Sequence, residues 1–316
     1  MNWQVGDRVE TRIAYGEGLL ALGRERQDVV VMDADLQRSD RTYAFGQEHP
    51  ERFFDMGIAE ADMVSTAAGM AATGLVVFAT SFAMFVPGRC YDQIRLQVCY
   101  GRNNVKLAGS SAGLTQGPDG ATHQSLDDVA LMRQLPGMTV IVPADATEAF
   151  HTTVAAASIE GPVYLRFGRY PTPVLFGEGY TFRLGEIRSL RKGQDVALLA
   201  CGIMVAKALE TAEALAARGI DAAVLNVATI KPLDGAGILG AVAGKRLAVT
   251  MEEHSIIGGL GSAVAEVLAE AREAPPLLRL GVHDCFGESG NADELLEHYG
   301  LTPGQMAGEI AQALAG

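Results

Sequence analysis

The residues best suited to do chemistry lie where predicted helices begin or predicted strands end. Glu60 begins a run of small apolar residues, so it is either an ordinary first-turn acid that complements a helix dipole or a deliberately placed acid. Phe82 and Phe85 lie three residues apart, which suits core packing or a flat wall beside a heterocycle. His123 follows Asp119-Gly-Ala-Thr, so it is either a solvent-facing turn residue or a group whose titration range suits acid–base work or hydroxyl binding.

Arg12, Ser39, Arg166 and Arg169 form a second set of candidates. Taken singly, each is typical of an ordinary surface residue. Taken together, at the ends of predicted strands and beside glycine, they suit an anionic group, because a guanidinium offers two parallel donors to a phosphate. The residue pattern alone leaves both interpretations open.

Short β-branched runs alternate with longer helical patterns, which is typical of βα units around a parallel sheet covered on both faces. The predicted strands are 29–32, 76–79, 105–108, 139–142 and 163–166, then 196–200, 222–226, 247–252 and 277–282. The predicted helices are 60–73, 146–158, 205–218, 260–271 and 303–314. Prolines and glycines in 169–179 indicate a linker, so a domain boundary is expected near 171–190.

Doubly wound sheets bind ligands in the crevice at the carboxyl ends of their strands. Asp35 follows the first predicted strand, and Phe82 and Phe85 follow the second. The third is followed by a long glycine-rich loop, 109–124, which ends in a His-Gln pair; such loops are often functional. The sequence therefore predicts one site at this edge of the first sheet.

Composition excludes several classes of protein. The 316 residues carry a formal net charge of −13, which is the wrong sign for gripping nucleic acid. Four scattered cysteines suggest neither a zinc cluster nor a disulfide framework, so a reducing cytoplasm is expected. Residues 63–88 are uncharged, but their change from Ala/Gly-rich to β-branched predicts a buried helix and strand rather than a membrane span. The amino-terminal residues show no secretory signal pattern.

Several short segments, in their order and spacing, resemble the C-terminal half of the transketolase family of thiamine-diphosphate-dependent enzymes. The resemblance covers nearly the whole chain, from about Thr11. It rests on Ala-Asp-Leu (34–36), Gly-Ile-Ala-Glu (57–60), Ser-Phe-Ala-Met-Phe (81–85), Tyr-Asp-Gln-Ile-Arg (91–95), Asp-Gly-Ala-Thr-His-Gln (119–124), Ile-Lys-Pro-Leu-Asp (230–234) and Glu-Glu-His-Ser-Ile-Ile-Gly-Gly-Leu-Gly (252–261). Some of these segments are equally similar to 1-deoxyxylulose-5-phosphate synthases of the same family.

The resemblance implies an α/β fold with two doubly wound domains. Residues 1–180 would form a pyrimidine-binding domain with a mostly parallel sheet, and residues 190–316 a smaller α/β C-terminal domain. Thiamine diphosphate is the implied cofactor. Glu60 matches the family glutamate that hydrogen-bonds its aminopyrimidine ring, and Phe82 and Phe85 match the aromatic wall beside that ring. Asp35 matches an aspartate near the thiazolium ring.

The resemblance also implies substrate-binding residues. His123 matches the histidine that meets substrate hydroxyl and carbonyl oxygens, and Asp119 matches a residue that recognises a sugar hydroxyl. Arg12, Ser39 and Arg169 match positions that hold the phosphate of sugar phosphates. Two departures weaken the match to a conventional pentose phosphate: Ser111 stands where many transketolases have histidine, and no third aromatic occurs near Gly88.

One family motif is missing from the sequence. Relatives hold the cofactor diphosphate through a divalent metal bound at Gly-Asp-Gly and a later asparagine. The only Gly-Asp here is Gly6-Asp7, which Arg8 follows. No metal ligand is therefore expected in this chain, and Mg²⁺ or Ca²⁺ is expected to be held by a separate N-terminal transketolase subunit. The family expectation is an α2β2 assembly.

The implied function is the small subunit of a two-chain transketolase, which moves a two-carbon ketol unit from a ketose, expected to be phosphorylated, to an aldose. Three alternatives stay open: the β-subunit of a 2-oxoacid dehydrogenase, a 1-deoxyxylulose-5-phosphate synthase-like enzyme, and a non-catalytic scaffold subunit. The phosphate-matching residues and Thr122-His123-Gln124 favour a sugar-phosphate substrate. Glu60 disfavours the scaffold, which would have no reason to keep an acid there.

Overall fold

A computed structural model describes residues 3–315, in which short strands alternate with longer helices. The strands are β1 (Arg8–Val9), β2 (Val29–Asp33), β3 (Phe53–Asp55), β4 (Val76–Phe82), β5 (Val105–Ser110), β6 (Thr139–Ile141), β7 (Val163–Arg166), β8 (Thr172–Pro173), β9 (Arg188–Arg191), β10 (Val196–Ala200), β11 (Ala222–Asn226), β12 (Thr229–Lys231), β13 (Leu247–Ser255) and β14 (Leu277–Val282). The helices are α1 (Thr11–Glu25), α2 (Tyr43–Glu48), α3 (Glu60–Ala71), α4 (Val86–Arg89), α5 (Tyr91–Gln93), α6 (Asp128–Arg133), α7 (Ala146–Ala156), α8 (Met204–Ala216), α9 (Gly235–Val242), α10 (Leu260–Glu270), α11 (Ala292–His298) and α12 (Pro303–Ala315).

The first sheet has the strand order β12-β6-β7-β5-β4-β2-β3 and is parallel except where β12 pairs with β6. Its strands are apolar on both faces because helices cover both. In β2, Val29 and Val31 pack into one core cluster, while Val30 and Met32 pack into another. This two-sided burial confirms the doubly wound arrangement predicted for the first domain.

The second sheet has the order β14-β13-β10-β11-β9, with β9 as an antiparallel edge. Its inner strands are almost completely buried, and their residues alternate between two clusters in the same way. One cluster contains residues of both sheets, including Val77 and Leu107 from the first and Leu199 and Leu225 from the second. A common apolar core therefore joins the two sheets, and the α/β fold class is confirmed.

The chain crosses between the sheets in a way that the sequence did not indicate. β12 lies beyond the predicted linker yet adds an edge strand to the first sheet through β6. Within the linker, β8 pairs with β1, and Thr172 is buried. The division into domains of residues 1–180 and 190–316 stays a prediction.

The uncharged stretch 63–88 folds as most of α3, a turn, β4, a second turn and the start of α4, which confirms the predicted helix and strand. Across residues 3–315, no helix combines the length and apolar character needed to cross a bilayer.

Strand register brings the candidate residues to one edge of the first sheet. Asp33 of β2 lies opposite Thr80 of β4, and Phe82 lies opposite Ser110 of β5. Because these strands are parallel, their carboxyl ends and the loops that follow them share this edge.

Candidate active site

Glu60 is the first residue of α3 and is only 5% exposed. The preceding Ala59 provides no side-chain cap, so an acid in the first turn is the group that complements the helix dipole. Arg89 Nη1 donates to Glu60 Oε1 at 3.0 Å. The carboxylate is thus nearly buried and held from one side by a half-exposed guanidinium.

Phe82 and Phe85 form a stacked pair at the end of β4, with ring centroids 5.6 Å apart. His123 approaches both rings edge-on, at 6.1 Å from Phe82 and 5.3 Å from Phe85. The Arg89 guanidinium lies over the Phe85 ring at 4.0 Å. Glu60, Phe82, Phe85, Arg89 and His123 therefore lie together, and we call them the ring-side group.

Arg89 is the member of this group that sequence reasoning missed. It lies four residues after Phe85, and that spacing on a helical turn places two side chains on one face. This spacing was the one sequence signal that could have placed Arg89 beside Phe85. The next residue, Cys90, is fully buried, and burial together with the charge of Glu60 raises the pKa of its thiol to about 12.

Asp35 follows β2 in the left-handed conformation, with φ of 62°. Its backbone N–H donates to Asp55 Oδ1 at 3.0 Å, and the same oxygen accepts the N–H of Gly57. Asp55 thereby fixes the Asp35 loop to the segment that leads into Glu60. The Asp35 side chain is exposed.

Arg12 and Ser39 are also brought together. Arg12 Nη1 donates to the Ser39 carbonyl at 2.9 Å, and Arg12 Nε pairs with Glu10 at 2.6 Å. The Arg12 N–H bonds to the carbonyl of Gly168, which places Arg12 beside the segment that carries Arg169. Two donors of the Arg12 guanidinium already have protein partners, and its phosphate-binding role stays a prediction.

Asp119 and Arg169 form an ion pair of 3.0 Å in which both side chains are about one-third exposed. Gln116 also donates to this carboxylate, at 2.6 Å. The His123 Nδ1 lies 2.9 Å from the Thr122 hydroxyl, so Nε2 is the ring nitrogen outside that contact. The 109–124 loop thus carries His123 beside the aromatic pair and Asp119 beside the partly exposed Arg169.

Arg166, the other arginine of the predicted anion-binding set, lies elsewhere. It is buried, and Arg166 Nε pairs with Asp128 at 2.8 Å. Its guanidinium also donates to the backbone carbonyls of Ser125 and Glu253, at 3.2 and 3.0 Å. These contacts give Arg166 a structural role between the two sheets.

Two buried acids at the carboxyl edge were also missed. Asp33 accepts bonds from the Thr42 hydroxyl and the Leu36 N–H, yet burial raises its pKa to about 6. Asp40 accepts a hydrogen bond from the Ser110 hydroxyl, and burial, with the charge of Asp33 adding to the effect, raises its pKa well above the ordinary value. Asp33 ends β2 and Asp40 lies in the segment between β2 and α2, so the two acids fix the loop that holds Asp35 and Ser39.

The ring-side group fits the aminopyrimidine part of thiamine diphosphate. A flat heterocycle can stack on the aromatic pair, while a nearly buried carboxylate can exchange a hydrogen bond or a proton with a ring nitrogen. Across residues 3–315, no cluster of three or more His, Cys, Asp or Glu side chains could hold a metal ion.

Two family models match the chain. One describes the pyrimidine-binding domain of transketolase and matches residues 7–173, and the other describes the transketolase C-terminal domain and matches residues 185–306. This chain belongs to the transketolase family.

Similar proteins include transketolases divided between chains. The putative transketolase C-terminal section of Methanocaldococcus jannaschii is 45% identical, over 96% of each chain. The 6-deoxy-6-sulfo-D-fructose transketolase subunit SqwH of Clostridium sp. (strain MSTE9) is 44% identical, over 96% of this chain and 92% of that protein.

Solved structures of transketolases have the same fold as this chain. A split-gene transketolase, described as an inactive beta4 tetramer, is 46% identical with a TM-score of 0.90, over 97% of this chain and 99% of that chain. The transketolase of Leishmania mexicana shares the fold, with a TM-score of 0.83 at 22% identity over 99% of this chain and 46% of that protein.

Proposed function

We propose that this chain is the pyrimidine-side subunit of a two-chain transketolase. In this proposal the chain works with thiamine diphosphate and moves a two-carbon ketol unit from a phosphorylated ketose to an aldose. One observation carries the proposal: Glu60 lies with Phe82, Phe85 and His123 in a chain whose sequence lacks the Gly-Asp-Gly metal motif. Relatives described as a section or a subunit of transketolases support it.

Each residue has a defined task in this proposal. When bound, thiamine diphosphate supplies the carbanion-stabilising thiazolium that carries the two-carbon unit. Glu60 would hold the aminopyrimidine and could exchange a proton with it, while Phe82 and Phe85 would exclude water from its face. Asp35 would contribute near the thiazolium ring, and His123 would bind substrate oxygens.

The substrate end of the site is proposed to be anionic. Arg169, with Arg12 and Ser39, would hold a terminal phosphate, and Asp119 would bind a sugar hydroxyl. Because Arg169 is paired with Asp119, a phosphate has to compete with that carboxylate for the guanidinium.

A separate N-terminal subunit is proposed to hold the diphosphate through Mg²⁺ or Ca²⁺. The assembly would be α2β2 and would be active only when both chains are present. A cytoplasmic location is part of the proposal, and the free thiols of Cys90, Cys99, Cys201 and Cys285 are compatible with it.

The test is a ketol-transfer assay with this chain and a partner chain that carries Gly-Asp-Gly and the trailing asparagine. Transfer from a ketose phosphate to an aldose by the mixture, and by neither chain alone, is expected. Pyruvate serves as the contrasting donor. Turnover of pyruvate with no ketose turnover would favour the 2-oxoacid dehydrogenase or 1-deoxyxylulose-5-phosphate synthase alternative, and no turnover of either donor would favour the scaffold.

A further inference from the structure

Glu253 links the second sheet to the 109–124 loop. It lies near the end of β13, is 4% exposed, and accepts the backbone N–H of Thr115 at 2.5 Å. Thr115 follows β5 of the first sheet, 138 positions earlier in the chain. A carboxylate from one half of the molecule therefore bonds directly to the loop of the other half that carries Asp119 and His123.

The loop approaches this carboxylate closely at Gly113. Gly113 has φ of +84°, a conformation that favours glycine, and a Cβ at this position would overlap the Glu253 carboxyl group. The left-handed turn and the missing side chain together let the Glu253 carboxylate reach the N–H of Thr115. The contact therefore depends on a backbone conformation and not only on side-chain packing.

The surroundings of Glu253 suit an ionised carboxylate only in part. Burial raises its pKa, while the charge of Arg166 and the Thr115 N–H act in the opposite direction. Arg166 also donates from Nη2 to the Glu253 backbone carbonyl at 3.0 Å. The buried cation of the first sheet and the buried acid of the second thus stabilise each other beneath the loop.

The far end of the loop is held from the same half of the molecule. Gln124 Nε2 donates to the Glu288 carbonyl at 2.9 Å, and also to carbonyls of Leu114 and Gly117 within the loop. A Cβ at Gly120 would lie 2.5 Å from the Ser289 hydroxyl, so these two segments are in close contact. Residues of the second half therefore fix the loop on either side of Asp119 and His123.

We propose that Glu253 is a positioning residue for the reaction. By fixing Thr115, it holds the 113–124 segment so that His123 and Asp119 meet the substrate, while Glu60 and the aromatic pair are held independently by α3 and β4. This inference rests on the proposed transketolase function. In this proposal the C-terminal half of the chain positions the residues that bind the substrate.

The first test measures amide hydrogen exchange on the full chain by mass spectrometry. Glu253→Ala leaves the Thr115 N–H without its acceptor, so exchange in peptides spanning 113–124 should be about tenfold faster or more. Glu253→Gln keeps an oxygen that can accept the bond and should restore most of the protection. If Glu253→Ala does not fold, Glu253→Asp, whose carboxylate is one methylene shorter, should loosen the same peptides.

Glu252→Ala is the matched control. Glu252 is the neighbouring buried acid of β13, but it accepts the N–H groups of Leu260 and Gly261, both at 2.7 Å, within its own half. Its loss should speed exchange at the start of α10 and leave 113–124 protected. Unchanged protection of 113–124 in Glu253→Ala and Glu253→Asp, or equal loosening by Glu252→Ala, would overturn the proposal.

The second test uses the two-chain assembly. Wild-type ketol transfer is measured first, and its absence would count against the proposed function, while the exchange experiment would still decide the Glu253–Thr115 link. In an active assembly, Glu253→Ala should lower kcat/KM for ketol transfer about tenfold while exchange of the coenzyme thiazolium proton stays at the wild-type rate. Wild-type transfer, or an equal loss of both activities, would contradict a positioning role.

Discussion

At the residue scale, the central feature is the nearly buried carboxylate of Glu60. Burial of a carboxylate is costly unless it has partners, and Glu60 has two: the amino end of α3 and the Arg89 guanidinium at 3.0 Å. Arg89 also lies over Phe85, so one side chain contacts both the acid and the aromatic wall. The ring-side group is therefore held together even though its members come from separate segments of the chain.

Glu60→Gln tests the proposed proton exchange. Glutamine keeps the size of the side chain but cannot give or take the proton, so exchange of the thiazolium proton in the two-chain assembly should fall about 100-fold or more. NMR detection of deuterium incorporation measures this rate. Asp62→Asn, an exposed acid in the same first turn of α3, is the matched control and should exchange normally. Near-normal exchange by Glu60→Gln would remove Glu60 from the account.

Arg169→Ala tests the anionic end of the site. Loss of a charged hydrogen-bond donor should raise KM for a phosphorylated ketose about tenfold, with little change for its unphosphorylated counterpart. Steady-state kinetics with both donors gives the comparison. Arg183 is an exposed arginine of the boundary region 171–190, and Arg183→Ala should leave both KM values unchanged. An equal rise for both donors would exclude a phosphate contact.

The sequence predicted Glu60, the two phenylalanines and His123 as candidates, and the structure places them together. The sequence could not predict that Arg89 and Glu253 belong to the site. Arg89 lies four residues after Phe85, and this spacing is common in helices of every function, so it does not indicate a site. Glu253 lies 138 positions from Thr115, and no local pattern reports a contact over that distance.

At the element scale, close packing of α1 positions the loop that follows β2 and carries Asp35 and Ser39. Gly16 of α1 lies against the backbone of Arg41, where a Cβ would be 2.6 Å from the carbonyl oxygen. α1 also carries Arg12, and the segment that ends at Arg41 carries Asp35 and Ser39. The missing side chain lets these two segments approach each other.

A pair of Gly→Ala substitutions tests this packing. Gly69 of α3 is exposed, with nothing near its Cβ position, so Gly69→Ala should raise the free energy of unfolding by up to about 1 kcal/mol. Gly16→Ala gains the same helix propensity, but its new methyl group has to displace the Arg41 carbonyl. The free energy of unfolding should therefore fall by about 1–3 kcal/mol. Urea unfolding of the chain measures both. A Gly16→Ala variant as stable as Gly69→Ala would show that this contact is not tight.

The elements that the sequence predicted are those with a clear local pattern of apolar residues. The apolar β-branched runs gave β2, β4, β5 and β10, since buried parallel strands are apolar on both faces. β12 is three residues long and owes its place to the sheet edge it meets, so no periodicity reports it. Helix α1 was missed because glycines within its pattern weaken the helical signal.

At the scale of the whole molecule, a buried polar cluster joins the two halves and the boundary region 171–190 between them. Glu148 of α7 accepts bonds from the Tyr180 hydroxyl at 2.5 Å and from Asn226 Nδ2 at 2.8 Å. Tyr180 directly follows the predicted linker 169–179, within the expected boundary region 171–190, and Asn226 ends β11 of the second sheet. Burial raises the pKa of Glu148 to about 7, although its hydrogen bonds act in the opposite direction.

This pKa predicts a pH dependence of stability. The folded chain keeps the Glu148 proton up to about pH 7, whereas the unfolded chain loses it near the ordinary value of 4.5. The free energy of unfolding should therefore fall as pH rises between these values. Glu148→Gln should flatten that fall by on the order of 1–3 kcal/mol in urea titrations. Glu178→Gln, at an exposed linker acid, should keep the wild-type slope, and a wild-type slope in Glu148→Gln would contradict the assignment.

The measurement that tests the account most directly is calorimetric binding of thiamine diphosphate with Mg²⁺ to this chain, to its partner, and to the mixture. Because this chain provides the ring-side group and its sequence lacks the metal motif, we expect very weak binding to the chain alone and tight, stoichiometric binding to the mixture. Glu60→Gln should weaken binding to the mixture, and Asp62→Asn should not. Tight metal-dependent binding by the single chain would contradict the division of the site between two subunits.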